Sequence, residues 1–132
     1  MNTKILDDIK TINEYLYTLK NLIINNECHF KISDRDKNNN FCKEYLINTK
    51  IAKDIICELT YKDFYKIVKN EHKDYENEFL YIFGPVKELV NRIGKREKVQ
   101  LYIKINYIKD KVIILVSLHK AESKIELKYR SD

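Results

Sequence analysis

A tyrosine, a histidine and a set of lysines are the residues of this chain whose types and spacing can do chemistry. The stretch Leu101 to Glu122, LYIKINYIKDKVIILVSLHKAE, carries Tyr102, Lys104 and His119, and Lys66 lies upstream in DFYK. Metal-independent RNA cleavage uses the substrate's own 2′-hydroxyl as nucleophile. A protein then has to remove that proton, stabilise charge on the phosphorane and protonate the departing 5′-oxygen. Histidine, which titrates near neutrality, suits the general acid, and this points to His119. Lys66 and Lys104 suit phosphate charge. Tyr102 can orient the phosphate or help take the 2′ proton, the second role requiring cations close to the phenol.

These side chains can work together only if the backbone holds them on one face. Leu101, Ile103 and Ile105 alternate with Gln100, Tyr102, Lys104 and Asn106, the period of a strand with one buried side. In the following arm Val112, Ile114, Val116 and Leu118 are expected on the buried side, leaving Ile113, Leu115, Ser117 and His119 with Tyr102 and Lys104. The two arms read as a β-hairpin. Its register places Tyr102 opposite His119 or, after a slip of two, diagonal to it, because a slip of one would turn an apolar face outward. Opposed Cβ atoms are ~5 Å apart and diagonal ones ~7–8 Å, so the rings can touch in either case.

Upstream, Thr60-Tyr61-Lys62-Asp63 has the spacing of a capping box and predicts a short helix through Val68. Phe64, Ile67 and Val68 would form its buried stripe. Lys62, Lys66 and Lys69 would share the opposite face, as an RNA-backbone contact or as a plain solvated surface. The N-terminal pattern Ile5, Ile9, Ile12, Leu16, Leu19 and Ile23 predicts a helix over about Thr3–Ile24. Then come an edge strand at Cys28–Ser33, a polar turn at Asp34–Asn40, a helix at Phe41–Leu46, and one capped by Thr49 with Ile51, Ile55, Ile56 and Leu59 inward. Glu78–Phe83 reads as a strand with Phe79, Tyr81 and Phe83 on one side. Gly84-Pro85 opens a short helix with Val86, Leu89, Val90 and Ile93 inward and Gly94 as its stop, and Ile125–Tyr129 adds a last strand. Helices first and antiparallel sheet afterwards make an α+β fold, with N-terminal helices packed on a sheet built mainly from the C-terminal half.

The 132 residues suit one domain, residues 1–132, with a core of ordinary size. Cys28, Cys42 and Cys57 form no CxxC pair, and their odd number without a signal-peptide pattern predicts a reducing cytoplasm, with the cysteines as small core residues. No apolar run approaches the ~20 residues of a membrane span. Net charge is +5, carried mostly by lysine, with Arg35, Arg92, Arg96 and Arg130 as the arginines. This suits an anionic partner without identifying one. Cys28, His29, Cys42, Cys57, His72 and His119 have no zinc-finger or ribbon spacing, so neither metal nor cofactor is expected. Gly84 and Gly94 alone make no phosphate-binding loop, and Glu76 and Glu78 read as a solvated edge. Tyr61, Tyr65, Tyr81 and Tyr107 can stack on unpaired bases or pack in the core and at its rim.

DFYK at Asp63–Lys66, the aromatic strand around Leu80–Gly84, LYIK at Leu101–Lys104 and SLHKAE at Ser117–Glu122 resemble, in that order, the MqsR (motility quorum-sensing regulator) toxins. These belong to the RelE-like superfamily of type II toxin–antitoxin ribonucleases. The resemblance implies a compact α+β RNase that cuts single-stranded mRNA without a metal and is silenced by a bound antitoxin protein. It carries the family's functional lysine onto Lys66, its strand tyrosine onto Tyr102 and its terminal basic residue onto His119. Lys62, Lys69, Lys104 and Lys120 would contact the RNA. Leu80 or a neighbour stands where the family has a functional glutamine, and Pro85–Lys98 and the first helix are longer than usual. These departures fit a rival reading, a phage or mobile-element binding module of the same fold that inhibits an RNA-guided defence nuclease. A purely structural partner protein is a third.

Overall fold

The computed structural model describes residues 7–70, 78–108 and 111–130. The expected helix start at Thr3 and Ile5, together with His72 and Glu76, lies outside them. The spine is the expected hairpin, β5 (Arg96–Ile108) against β6 (Val112–Lys120). Around it are α1 (Ile9–Ile24), β1 (His29–Ile32), α2 (Asp36–Glu44), α3 (Thr49–Cys57), a 3-10 turn (Tyr61–Asp63), β2 (Phe64–Lys69), β3 (Phe79–Phe83) and β4 (Val86–Val90). The sheet order is β1-β6-β5-β3-β2, with β4 also on β5. The fold is thus α+β, helices in the N-terminal half and most strands after them. Neighbouring strands are antiparallel, except that β1 runs parallel to β6 as the edge strand expected at Cys28–Ser33.

The core follows from helix and strand periods. Ile12, Leu16, Leu19 and Ile23 of α1 and Ala52, Ile55 and Ile56 of α3 pack against Ile103, Ile105, Ile113, Leu115 and Leu118 of the hairpin. Cys28, Cys42 and Cys57 are free thiols packed at its border, and burial raises the pKa of each. Among the described residues no helix is long and apolar enough to cross a membrane.

Helix boundaries follow the caps more closely than the apolar pattern. Asp8 accepts from the Thr11 N–H at 2.8 Å and fixes the start of α1 at Ile9. Asn48, not Thr49, caps α3, accepting from the Ile51 N–H at 2.9 Å, and Ile51 is exposed rather than inward. The polar run expected as a turn is the first half of α2, because Asn38 within it is buried against the sheet.

Two expected helices are strands. The Thr60 capping box forms, with the Thr60 N–H donating to Asp63 at 3.0 Å, but the helix lasts one turn. Phe64 is already extended, and Phe-Tyr-Lys-Ile-Val, aromatic and β-branched, pairs with β3. The lysine stripe does not exist, since the pleat of β2 puts Lys66 and Lys69 on opposite faces. Val86–Val90 likewise continues β3 as β4. Phe83 pairs with Ile103 and Val86 with Gln100, so Gly84-Pro85 interrupts one long strand without shifting its register. Val86, Val90 and Ile93 are exposed instead of inward. Asn91 closes the turn to β5 by accepting from the N–H groups of Ile93 and Lys95, both at 3.0 Å, with Gly94 at φ 84°. Ile125–Tyr129 forms no strand; it crosses back as irregular chain.

Candidate functional site

The hairpin takes the direct register, Tyr102 opposite His119, Ile103 opposite Leu118 and Lys104 opposite Ser117. The next pair is Ile105 with Leu115, which leaves Val116 as an extra residue. That bulge changes the phase of the pleat. Leu118 faces the core as expected, but so do Ile113 and Leu115, contrary to the expectation that they share the side of His119.

On the sheet face away from α1 and α3, the Tyr102 and His119 rings stack with centroids 5.4 Å apart and planes within 13°. Lys104 Nζ lies 5.9 Å from the Tyr102 centroid, within cation–π range. A second tyrosine joins them. Tyr65 is unpaired at an irregularity in β2 between Phe64 and Lys66, and it lines the same cleft as Tyr102 and His119. Lys66 Nζ lies 4.9 Å from the Tyr65 ring, so Lys66 borders the cleft through that tyrosine.

The cleft encloses about 600 Å³. Its other wall comes from the start of α2, with Arg35, Lys37 and Asn38, and from the chain after β6, with Glu122 and Lys124. Buried Asn38 ties α2 to the sheet. Its amide donates to the carbonyls of Ser33 at 3.0 Å and Val116 at 3.1 Å, and its oxygen accepts from the Leu118 N–H at 2.9 Å. β1 has ended one residue earlier, and the carboxamide stands in for the next peptide of the ladder. Gln100 secures the returning chain in the same way, accepting from the Ile125 N–H at 2.9 Å and donating to the carbonyls of Ile125 at 3.2 Å and Gly84 at 3.1 Å. Gly84 permits the approach, since a Cβ there would meet Ile125 Cδ1 at 3.1 Å.

A shallower groove of about 480 Å³ continues on the far side of His119, lined by Asn40, Tyr45, Glu97 and Lys120. Lys37, His119 and Glu122 belong to both walls and form the saddle between the two hollows. Lys37 and Glu122 are hydrogen-bonded and ion-paired across it.

Protonation states follow from these neighbours. Burial, then the charge of Tyr65, raises the Tyr102 phenol above its ordinary value, so it stays protonated and donates. This argues against Tyr102 as the proton acceptor. Lys37, by hydrogen bond and charge, and then His119 lower Glu122 and keep it ionised. His119 Nδ1 lies 2.9 Å from the Lys120 carbonyl, which can only accept, so Nδ1 carries hydrogen and Nε2 is the nitrogen that exchanges a proton.

The expected residues therefore divide. Tyr102, His119 and Lys104 come together and Lys66 flanks them. Lys62 is exposed on the 3-10 turn, Lys69 lies on the opposite sheet face, and Lys120 turns into the second groove. Sequence reasoning leaves Arg35, Lys37, Glu122 and Lys124 out of the site and offers Tyr65 only base stacking or packing. Tyr65 and Glu122 lie inside motifs already singled out, whereas nothing local marks the start of α2. Among the described residues no three His, Cys, Asp or Glu side chains gather as a metal site. Compared with known proteins, the chain matches no family model, no curated protein and no solved structure.

Proposed function

We propose that this chain is a metal-independent endoribonuclease toxin of MqsR-like, RelE-like type, acting on single-stranded mRNA in the cytoplasm and neutralised by an antitoxin protein. One observation carries the reading: the Tyr102–His119 stack in a cleft lined by Arg35, Lys37 and Lys124, with Lys104 against the Tyr102 ring and Lys66 against the Tyr65 ring. A phosphodiester bound there meets cations for its charge, a neutral phenol as hydrogen-bond donor and an imidazole to protonate the leaving 5′-oxygen. The products are a 2′,3′-cyclic phosphate and a 5′-hydroxyl. Tyr65 and Tyr102 offer aromatic faces to unpaired bases. Incubating the pure protein with mixed-sequence RNA in EDTA tests this. Cleavage that is lost in His119→Ala supports the reading, and intact RNA at low salt overturns it.

A binding module that inhibits an RNA-guided defence nuclease is the second reading, and it too has an observation in its favour. Leu80, which with its neighbours stands where the family has its glutamine, is buried, and Gln100, at the other end of β5, spends its amide holding Ile125 and Gly84. Neither offers a free amide to a substrate. A discrete complex with such a nuclease, formed by a protein that leaves RNA intact, would favour this reading.

A further inference from the structure

The residues assigned to the cleavage reaction include an acid and several cations but lack a proton acceptor. Tyr102 holds its proton, and an ammonium has no lone pair to accept one. Among the described residues two carboxylates line the first cleft, Asp36 and Glu122. Asp36 touches that cleft alone, whereas Glu122 shares the saddle with His119 and Lys37 and lines both hollows.

Resting on the ribonuclease reading, we propose that Glu122 is the general base that takes the 2′-hydroxyl proton while His119 serves as the acid. A single strand laid along the groove places one nucleoside in each hollow and the phosphate between them on the saddle. The phosphate competes with Glu122 for Lys37, which frees the carboxylate where the 2′-hydroxyl arrives. The 2′-O–H bond breaks and its proton passes to Glu122. The 2′-oxygen bonds to phosphorus, the P–O5′ bond breaks, and O5′ takes the proton from His119 imidazolium. Protonated Glu122 and neutral His119 then exchange with water to reset the pair.

The charged neighbours fix the sign of the pH dependence. Lys37 and His119 stabilise the carboxylate. Arg35 and Lys124 in the first cleft and Lys120 in the second groove also favour it, while Asp36 in the first and Glu97 and Glu44 in the second oppose it. A carboxylate whose pKa is depressed is lost as a base only as pH falls through that depressed value. The acid limb of kcat/KM, which reports the free enzyme, is therefore expected below the ordinary glutamate pKa.

Two substrates separate base from acid: a ribodinucleotide, and uridine 3′-(4-nitrophenyl phosphate), whose leaving group needs no proton. Glu122→Gln should lose ~10²–10⁴-fold on both, the usual range for general acid–base catalysis. His119→Ala should lose far more on the dinucleotide than on the aryl ester. Glu122 is well exposed, with side-chain accessibility of 68%, so the Gln variant should keep its fold, which circular dichroism checks. Lys37→Ala keeps the carboxylate and removes its main counter-charge, and should move the acid limb upward, with a plateau lowered by the lost phosphate contact but well above that of Glu122→Gln. Glu122→Gln within about twofold of wild type on both substrates would overturn the assignment and leave the nuclease reading standing. So would equal losses in Glu122→Gln and Lys37→Ala with an unmoved acid limb, because the pair would then be a structural strap. If the wild type turns over neither substrate, the nuclease reading fails and the base with it.

Discussion

Tyr102 and His119 on the floor of the cleft stand on two long paired strands, whereas Lys37 and Glu122 on its rim stand on segments anchored by carboxamides. On the floor, each site residue is flanked by a buried neighbour, Leu101 and Ile103 beside Tyr102 and Leu118 beside His119, all with 0% exposure. Turning either ring out of the cleft would expose that apolar side, so hydrophobic burial fixes its direction. The rim has no such guarantee. Asn38, through Val116 and Leu118, and Gln100, through Gly84 and Ile125, each hold a wall with hydrogen bonds to backbone distant in sequence, supplying a missing peptide to the sheet or to the returning chain. The floor is set by side-chain pattern over many residues. The rim depends on single polar groups, so it can be altered one residue at a time.

The largest expected effect lies on the floor. His119→Ala should lower RNA cleavage ~10²–10⁴-fold with little change in affinity, because it removes a proton donor and not a phosphate contact. Single-turnover rates at saturating enzyme measure it, and an unchanged rate would take histidine out of the mechanism. Next comes the rim. Asn38→Leu leaves the Leu118 N–H and the Val116 carbonyl without their side-chain partner, at a cost of ~1–3 kcal/mol read from urea unfolding. This variant should loosen the α2 wall while the Tyr102–His119 register persists. A loss of β5–β6 pairing in hydrogen exchange would mean that floor and rim are one unit. The smallest effect separates two lysines that the helical reading had placed on one stripe. Lys66→Ala should flatten the salt dependence of single-strand binding by ~0.7 in log–log slope, one phosphate contact, whereas Lys69→Ala should leave it unchanged. Equal slopes for the two variants would show that the strand frame of β2 does not govern RNA contact.

What could be read in advance follows the same division. The Tyr102–His119 pairing was legible because alternation over Leu101–Ile105 and the Ser-Leu-His end of β6 leaves few registers. The middle of β6 was not, since Val-Ile-Ile-Leu-Val is apolar in both phases and the bulge at Val116 leaves no mark in such a run. The capping box at Thr60 correctly marked a helix start but carries no information about length, and pairing with β3 ended the helix after Asp63. Val86-Lys87-Glu88-Leu89-Val90 has helical spacing and mixes charged and apolar residues on both faces of a strand; the unbroken register with β5 makes it a strand all the same. The α2 wall was hidden most completely. Its anchor is a buried asparagine in a polar run, and its target on β6 lies 78 residues away.

The most direct measurement compares one RNA strand with its fully 2′-O-methylated counterpart, both incubated with the pure protein in EDTA, followed by end-group analysis of the products. If the floor of the cleft directs the 2′-hydroxyl against its own phosphate, the RNA is cut to 2′,3′-cyclic phosphate and 5′-hydroxyl ends and the methylated strand stays whole. An uncut RNA strand, equal cutting of both strands, or products ending in a free 3′-hydroxyl would contradict it.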